Sequence, residues 1–382
     1  MANIYKTRRY DLDWLRVIAF GLLIFYHIGM FFNSESWHAK SVHMNDSVDP
    51  VMWLSSPWRL SLLFLISGVA LRFAVDKTPS VSAFAGKRFM RLFIPLVFGM
   101  VVIVTPQAYF QLLAAGEISP GYLAFYREYL TFNQSYSITV PTWNHLWYLV
   151  YMLAYTLLIL PLMPLVRKLA TAMDGPAFEH LMNSGRLFIL PALLFILYRF
   201  TTDIWYPRET HAFWGDWGAH ARYFSYFLIG LLIAKNAAFW RVLARTWRIG
   251  AAGALLLAVS LSLLWINWDA WFGGIVWLEN MVRAMRPLYG WVLIAALLGA
   301  GQTYLNHASK QLSYLTEAVF PYYILHQSLI ILVGVAVSSL ELSVWPEFLL
   351  VLVGTVVGCL GLHEFVIRRV PFLRPLFGMP MR

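Results

Sequence analysis

The chain has 382 residues, 60% of them hydrophobic and 13% charged, with a mean hydropathy of +0.63. That balance excludes a water-soluble globular domain, because no soluble fold of this length needs so much apolar surface. The net charge of +10 accompanies long apolar runs, so it reads as a membrane-topology signal and not as a nucleic-acid footprint.

Stretches of the length that spans a bilayer, about 17–25 apolar residues, fall near 14–32, 57–75, 92–113, 143–166, 187–205, 221–238, 249–267, 287–305, 318–338 and 347–366. The expectation is one all-α polytopic membrane domain over 1–382 with about ten transmembrane helices. An even number of spans puts both termini on one side, and that side holds 21 of the 29 Lys and Arg residues, from Lys6 to Arg382. By the positive-inside rule both termini are cytoplasmic. Ser41 is then an outer-loop residue and Ser82 a cytoplasmic one. The polar start leads directly into a span too long for a signal-peptide core, so the first helix is expected to stay. No internal repeat suggests an inverted-repeat transporter.

The first run carries Arg16 and His27, and ionisable groups inside a span default to a functional reading. Eleven residues at about 100° each return to nearly the same direction, so the two share a face, about 16 Å apart along the axis. Asp13 lies one turn before Arg16 and can pair with it. A histidine at depth is a competent base or nucleophile near neutral pH; its structural reading is an interhelical hydrogen bond.

The second run contains Phe64-Leu-Ile-Ser67-Gly68, where the small pair permits close helix packing. The third opens with Lys87, Arg88 and Arg91, and two guanidiniums at i, i+3 make a phosphate clamp or, more plainly, a positive-inside anchor. The fourth begins with Trp143, Asn144, His145, Trp147 and Tyr148. The ninth carries Glu317, Tyr322, Tyr323, His326 and Gln327, and the last holds Cys359, the single cysteine, which excludes an internal disulfide. The outer loops 33–56 and 199–220 mix tryptophans with carboxylates, which suits sugar faces and hydroxyls as well as an interfacial aromatic belt. The histidines lack ligand spacing, so no metal is expected.

The string LDWLR followed by His27, FLISG at 64–68, RFMR at 88–91, NHLWYL at 144–149 and YYILH at 322–326 together resemble the acyltransferase-3 family of membrane acyltransferases. HIGMFFNSESWH at 27–38 and EAVFPYYILHQ at 317–327 resemble its glucan-biosynthesis subgroup most. The resemblance covers essentially the whole chain. It implies transfer of an acyl group, succinyl or acetyl, from cytoplasmic acyl-CoA to a hydroxyl of a periplasmic glucan or another extracytoplasmic glycan, in a bacterial inner membrane. Acyl-CoA is then a co-substrate, with no permanently bound cofactor.

On that scheme His27, Arg16 and Asp13 are the catalytic residues, with His27 as base or transient acyl carrier and Arg16, paired with Asp13, guarding the entry. Arg88 and Arg91 hold the donor. Trp37, His38, Ser67, Asn144, His145, Trp147, Glu317, Tyr323 and His326 supply the acceptor side or pocket, with Trp143 at its rim. Membrane lipid and other glycan-synthesis proteins are the remaining expected partners. A glycan or lipid transporter or flippase is the rival reading, since it too keeps intramembrane charges. A catalytically silent scaffold fits less well, because charges at depth are costly to retain.

Overall fold

A computed structural model describes residues 8–132, 135–183, 185–266 and 275–381. Lys6, Arg382 and the end of the expected span 249–267 lie outside the described residues. Among the described residues the chain is all helix, with no strand. In order these are α1 (Tyr10–Phe32), α2 (Asp49–Val75), α3 (Val81–Phe98), α4 (Thr105–Ala114), α5 (Tyr122–Tyr129), α6 (Trp147–Ile159), α7 (Met163–Ala172), α8 (Pro176–Met182), α9 (Arg186–Phe200), α10 (Thr202–Trp205), α11 (Trp217–Ile233), α12 (Ala237–Ile266), α13 (Val276–Tyr304), α14 (Lys310–Ser338) and α15 (Val344–Gly361). A π-helical turn, Gly99–Ile103, joins α3 to α4, and another, Leu362–Ile367, follows α15.

Among the described residues, eight helical stretches are long and apolar enough to cross a membrane: Tyr10–Phe32, Asp46–Val75, Val81–Ala114, Arg186–Trp205, Ala237–Ile266, Val276–Tyr304, Lys310–Ser338 and Val344–Ile367. The expected fourth and sixth spans look different from the rest. The fourth is a pair of helices, Asn144–Ile159 and Met163–Ala172, bent by 82°; Pro161 at the break has no N–H to continue the ladder. The sixth is α11, whose 17 residues reach about 26 Å, a little less than the hydrocarbon core of about 30 Å. Its run is cut at Asn236, whose side chain accepts the Phe239 N–H at 2.8 Å and so starts α12 as an N-cap. Side chains such as Leu255, Leu256 and Ile266 on α12 are exposed, as a lipid-facing surface requires.

The chain divides into two compact units. The first comprises Met1–Ala19, Pro50–Phe84 and Tyr155–Leu312. Within it α2 and α11 touch backbone to backbone: a methyl added at Gly68 would sit 2.0 Å from the Phe227 carbonyl oxygen, and one at Gly230 would sit 2.1 Å from that of Leu65. Small residues at such a crossing replace the missing hydrophobic drive with close packing. Asp76, just after α2, collects Arg72 at 2.8 Å, Arg167 at 2.9 Å and Lys235 at 2.5 Å. Elsewhere in this unit Arg199 pairs with Asp203 at 2.9 Å, and Arg222 pairs with Glu209.

The second unit comprises Phe20–Asp49, Ala85–Ala154 and Ser313–Arg382. Its core packs Ile28, Phe31 and Phe32 of α1 against Ile330 and Ile331 of α14 and Val351 of α15. Gly334 faces the Phe31 ring, where an added methyl would come within 2.8 Å. Lys40 folds the loop after α1 back onto the helix end, donating to Met30 O at 2.7 Å, Asn33 Oδ1 at 2.8 Å and Glu35 O at 2.8 Å. A cation at a helix C-terminus satisfies carbonyls that have no partner within the helix.

Candidate active site

The imidazole cluster of the site lies within the second unit. α1 runs unbroken from Tyr10 to Phe32, so the helical register that brings Asp13, Arg16 and His27 to one face holds. Asp13 accepts from Arg16 at 3.3 Å and from Arg8 at 2.8 Å. Near the other end of the helix, His27 is half-buried and its Nδ1 lies 2.9 Å from Nε2 of His326 on α14. The His326 ring is completely buried, and its Nδ1 lies 2.7 Å from the Tyr323 carbonyl oxygen and 3.2 Å from that of Tyr322. Trp37 lies parallel to His27, with 12° between planes and 6.2 Å between centroids.

Behind this pair stands a closed network of neutral groups. Gln107 on α4 is fully buried; its amide nitrogen donates to Ser328 Oγ at 2.7 Å and to His145 Nδ1 at 3.2 Å. Its carbonyl accepts from Asn144 at 3.0 Å and Gln327 at 2.9 Å. His145 Nε2 donates to the Ile324 carbonyl at 3.0 Å, so both nitrogens of that ring are used in scaffolding. Tyr323 donates its hydroxyl to the His145 carbonyl at 2.5 Å. Asn144 adopts φ 37°, a left-handed conformation that Asn tolerates better than most residues. A buried polar network of this kind rigidifies what it surrounds when every member is satisfied. His38 extends the wall, donating from Nδ1 to Gln111 Oε1 at 2.6 Å. Burial holds His38 below its ordinary value, and the Gln111 hydrogen bond offsets part of that.

Of the residues singled out from the sequence, His27, Trp37, His38, Asn144, His145, Tyr323 and His326 are brought together by these contacts. Trp147 packs edge-on to Tyr151 at 5.0 Å. Glu317 pairs with Arg368 at 3.2 Å and Arg374 at 3.8 Å. Arg88 and Arg91 lie on α3, where Arg91 Nε donates to the Gly378 carbonyl at 3.3 Å. Asp13, Arg16 and Ser67 belong to the first unit, with Ser67 half-buried beside the Gly68 crossing.

Sequence reasoning missed Gln107, Gln111 and Ser328. Two glutamines at i, i+4 inside the apolar run 92–113 were the available signal, since amides in a span need partners.

Chemically, the arrangement offers one accessible imidazole on a spanning helix, held by a buried imidazole and walled by a tryptophan face. It can accept a proton from a hydroxyl or take up an acyl group itself.

Comparison with known proteins agrees with this chemistry. Residues 9–364 match the family described as acyltransferase domain. Glucans biosynthesis protein C of Escherichia coli O157:H7 (strain EC4115 / EHEC) is 23% identical over 396 residues, covering 100% of this chain and 97% of the relative. The protein of the same name from Escherichia coli (strain SMS-3-5 / SECEC) is equally similar, at 23% identity over the same coverage. No solved structure matches.

Proposed function

The chain belongs to the acyltransferase-domain family, and from that premise we propose that it moves a succinyl or acetyl group from cytoplasmic acyl-coenzyme A to a hydroxyl of a periplasmic glucan or another extracytoplasmic glycan. The observation that carries this reading is the half-buried His27 imidazole, 2.9 Å from His326 and parallel to Trp37, on a helix that is long and apolar enough to span the bilayer.

The scheme places the protein in a bacterial inner membrane with ten membrane-crossing segments and both termini cytoplasmic, as the distribution of basic residues favours. Donor and acceptor then approach from opposite faces. Arg88 and Arg91, one turn apart on α3, take the coenzyme A phosphates from the cytoplasm. Arg16, about 16 Å from His27 along α1, lies toward the donor side. As base, His27 takes the proton of the acceptor hydroxyl while its oxygen forms the new ester bond; the carbon–sulfur bond breaks and the coenzyme A thiolate receives the proton. As acyl carrier, His27 bonds to the acyl carbon first while the carbon–sulfur bond breaks and coenzyme A leaves as thiolate; the acceptor oxygen then bonds to that carbon as the nitrogen–carbon bond breaks, and the hydroxyl proton goes to the thiolate. Both routes need a ring nitrogen with its lone pair on offer. Trp37, with His38 beside it, supplies a face and edges for the sugar. Only the acyl group crosses the membrane.

The test is turnover by the full chain in proteoliposomes given acyl-coenzyme A and periplasmic glucan. Acceptor-dependent release of free coenzyme A is expected, with loss of about 10²–10⁴-fold in His27→Ala. A His27→Ala protein with near-normal turnover overturns the assignment. Mass spectrometry of envelope glycans from cells with and without the protein identifies which acyl group is moved.

A further inference from the structure

His326 is more than a wall of the pocket. Its Nδ1 lies 2.7 and 3.2 Å from two backbone carbonyl oxygens, Tyr323 and Tyr322, one turn earlier on the same helix. A carbonyl accepts only, so this nitrogen carries the hydrogen. The ring is completely buried, and its described polar partners are two carbonyls and another imidazole, with no carboxylate among them, which favours the neutral ring. In a neutral imidazole the second nitrogen is then an acceptor. Nε2 of His326, at 2.9 Å, therefore takes its hydrogen bond from Nδ1–H of His27.

Resting on the acyltransferase reading, we infer that His326 is a positioning residue that fixes the His27 tautomer, so that His27 Nε2 is the nitrogen that accepts the acceptor-hydroxyl proton or the acyl group. The device is a relay of orientation, from the Tyr323 carbonyl through His326 to His27. Which nitrogen of a functional histidine is basic is set by the bond its other nitrogen makes. The ring that sets it here is itself held by helix backbone. The titratable groups around the pair are His145, whose ring centroid is 5.3 Å from that of His326; Tyr323, at 6.0 Å from His326; and Tyr26, at 5.6 Å from His27. His145 cannot substitute for His326, because its two nitrogens are already committed to Ile324 and Gln107.

Amide replacements separate the two nitrogens of His326. Glutamine places its amide head near the position of Nε2 and can offer an oxygen to His27. Asparagine reaches only the position of Nδ1 and cannot. In proteoliposomes His326→Gln is expected to keep most of the turnover. His326→Asn and His326→Ala are expected to lose about 10²-fold in kcat, the scale of a misoriented reacting group, with KM for acyl-coenzyme A unchanged. A residue that merely fills space would give Gln and Asn alike. Membrane level and detergent melting temperature of each variant report folding. If His326→Gln fails to accumulate, His326→Glu, which also accepts at that place, takes its role, and activity above His326→Asn is expected.

Equal losses in the Asn variant and in whichever acceptor variant folds overturn the inference, as does full activity in His326→Ala. An inactive His27→Ala beside an active His326→Ala sinks the positioning role alone. An active His27→Ala sinks the proposed function and the positioning role together.

Discussion

Ser41 Oγ donates to Glu347 Oε2 at 2.7 Å, joining the loop after α1 to the first turn of α15. Glu347 is 1% exposed, accepts from Ser338 at 2.5 Å as well, and lies 4.0 Å from His43. The segment that presents Trp37 and His38 is thereby pinned at its far end.

Replacing Glu347 by alanine leaves two hydroxyls without their acceptor, at about 1–3 kcal/mol for a buried polar group left unsatisfied. The expected result is a lower melting temperature in detergent and a raised KM for glucan, with KM for acyl-coenzyme A unchanged. Steady-state kinetics with each substrate varied in turn checks it; an unchanged glucan KM separates the loop from acceptor binding.

Removing either Arg88 or Arg91 by alanine is expected to weaken acyl-coenzyme A binding by about 1.5–3 kcal/mol, the worth of a hydrogen bond to a charged group. That is roughly ten- to a hundredfold in Kd. Turnover at saturating donor should fall less. Equilibrium binding to the double variant decides whether the pair holds the donor or only anchors α3.

Asp76 gives the first unit a pH-sensitive fastening. Burial raises its carboxyl, but hydrogen bonds from Lys235, Arg72 and Arg167 outweigh this and hold it at about 2. A depressed folded-state value means that the stabilisation is complete above the unfolded carboxylate range, near 3.8, and is lost as pH falls toward about 2. His38 acts in the same sense at higher pH: its lowered value costs stability once pH drops below its ordinary 6.5. Melting temperature should therefore fall below pH 6.5 and again below pH 4. Glu209, which burial raises but Arg222 holds low, titrates in the same sense, so Asp76→Asn should shrink the second fall while lowering the plateau.

Sidedness is open to thiol labelling. Cys359 is fully buried, and in a Cys359→Ala background Val42→Cys, at a position 74% exposed, should react with an impermeant maleimide in intact spheroplasts. Ser82→Cys, at an exposed position on the first turn of α3, should react only after the membrane is opened. The reverse pattern would invert the topology and remove the cytoplasmic donor site with it.

Several of these features could be read before the fold was known. The Asp13, Arg16 and His27 alignment is visible because helical periodicity is a local property. The spans are visible because bilayer thickness sets their length. The breaks were harder: Pro161 and Asn236 interrupt apolar runs whose average hydropathy conceals them. Ser41 reads as an ordinary outer-loop serine, yet it is 2% exposed because a carboxylate 306 residues away claims it. Likewise no local pattern links His27 to His326, or Gln107 to Asn144 and Gln327, since those pairings exist only after helices distant in sequence have packed.

The crossing of α2 and α11 has a consequence for how this chain can change over generations. At most tight contacts a larger residue is accommodated when its neighbour shrinks. Here the obstacle to a side chain at Gly68 is the Phe227 carbonyl, and at Gly230 it is the Leu65 carbonyl. Main chain cannot be made smaller by any substitution. Neither glycine can be relieved by a compensating change in the residue it touches, so each is locked separately, and the two helices must shift as a single rigid body in any motion that preserves their contact.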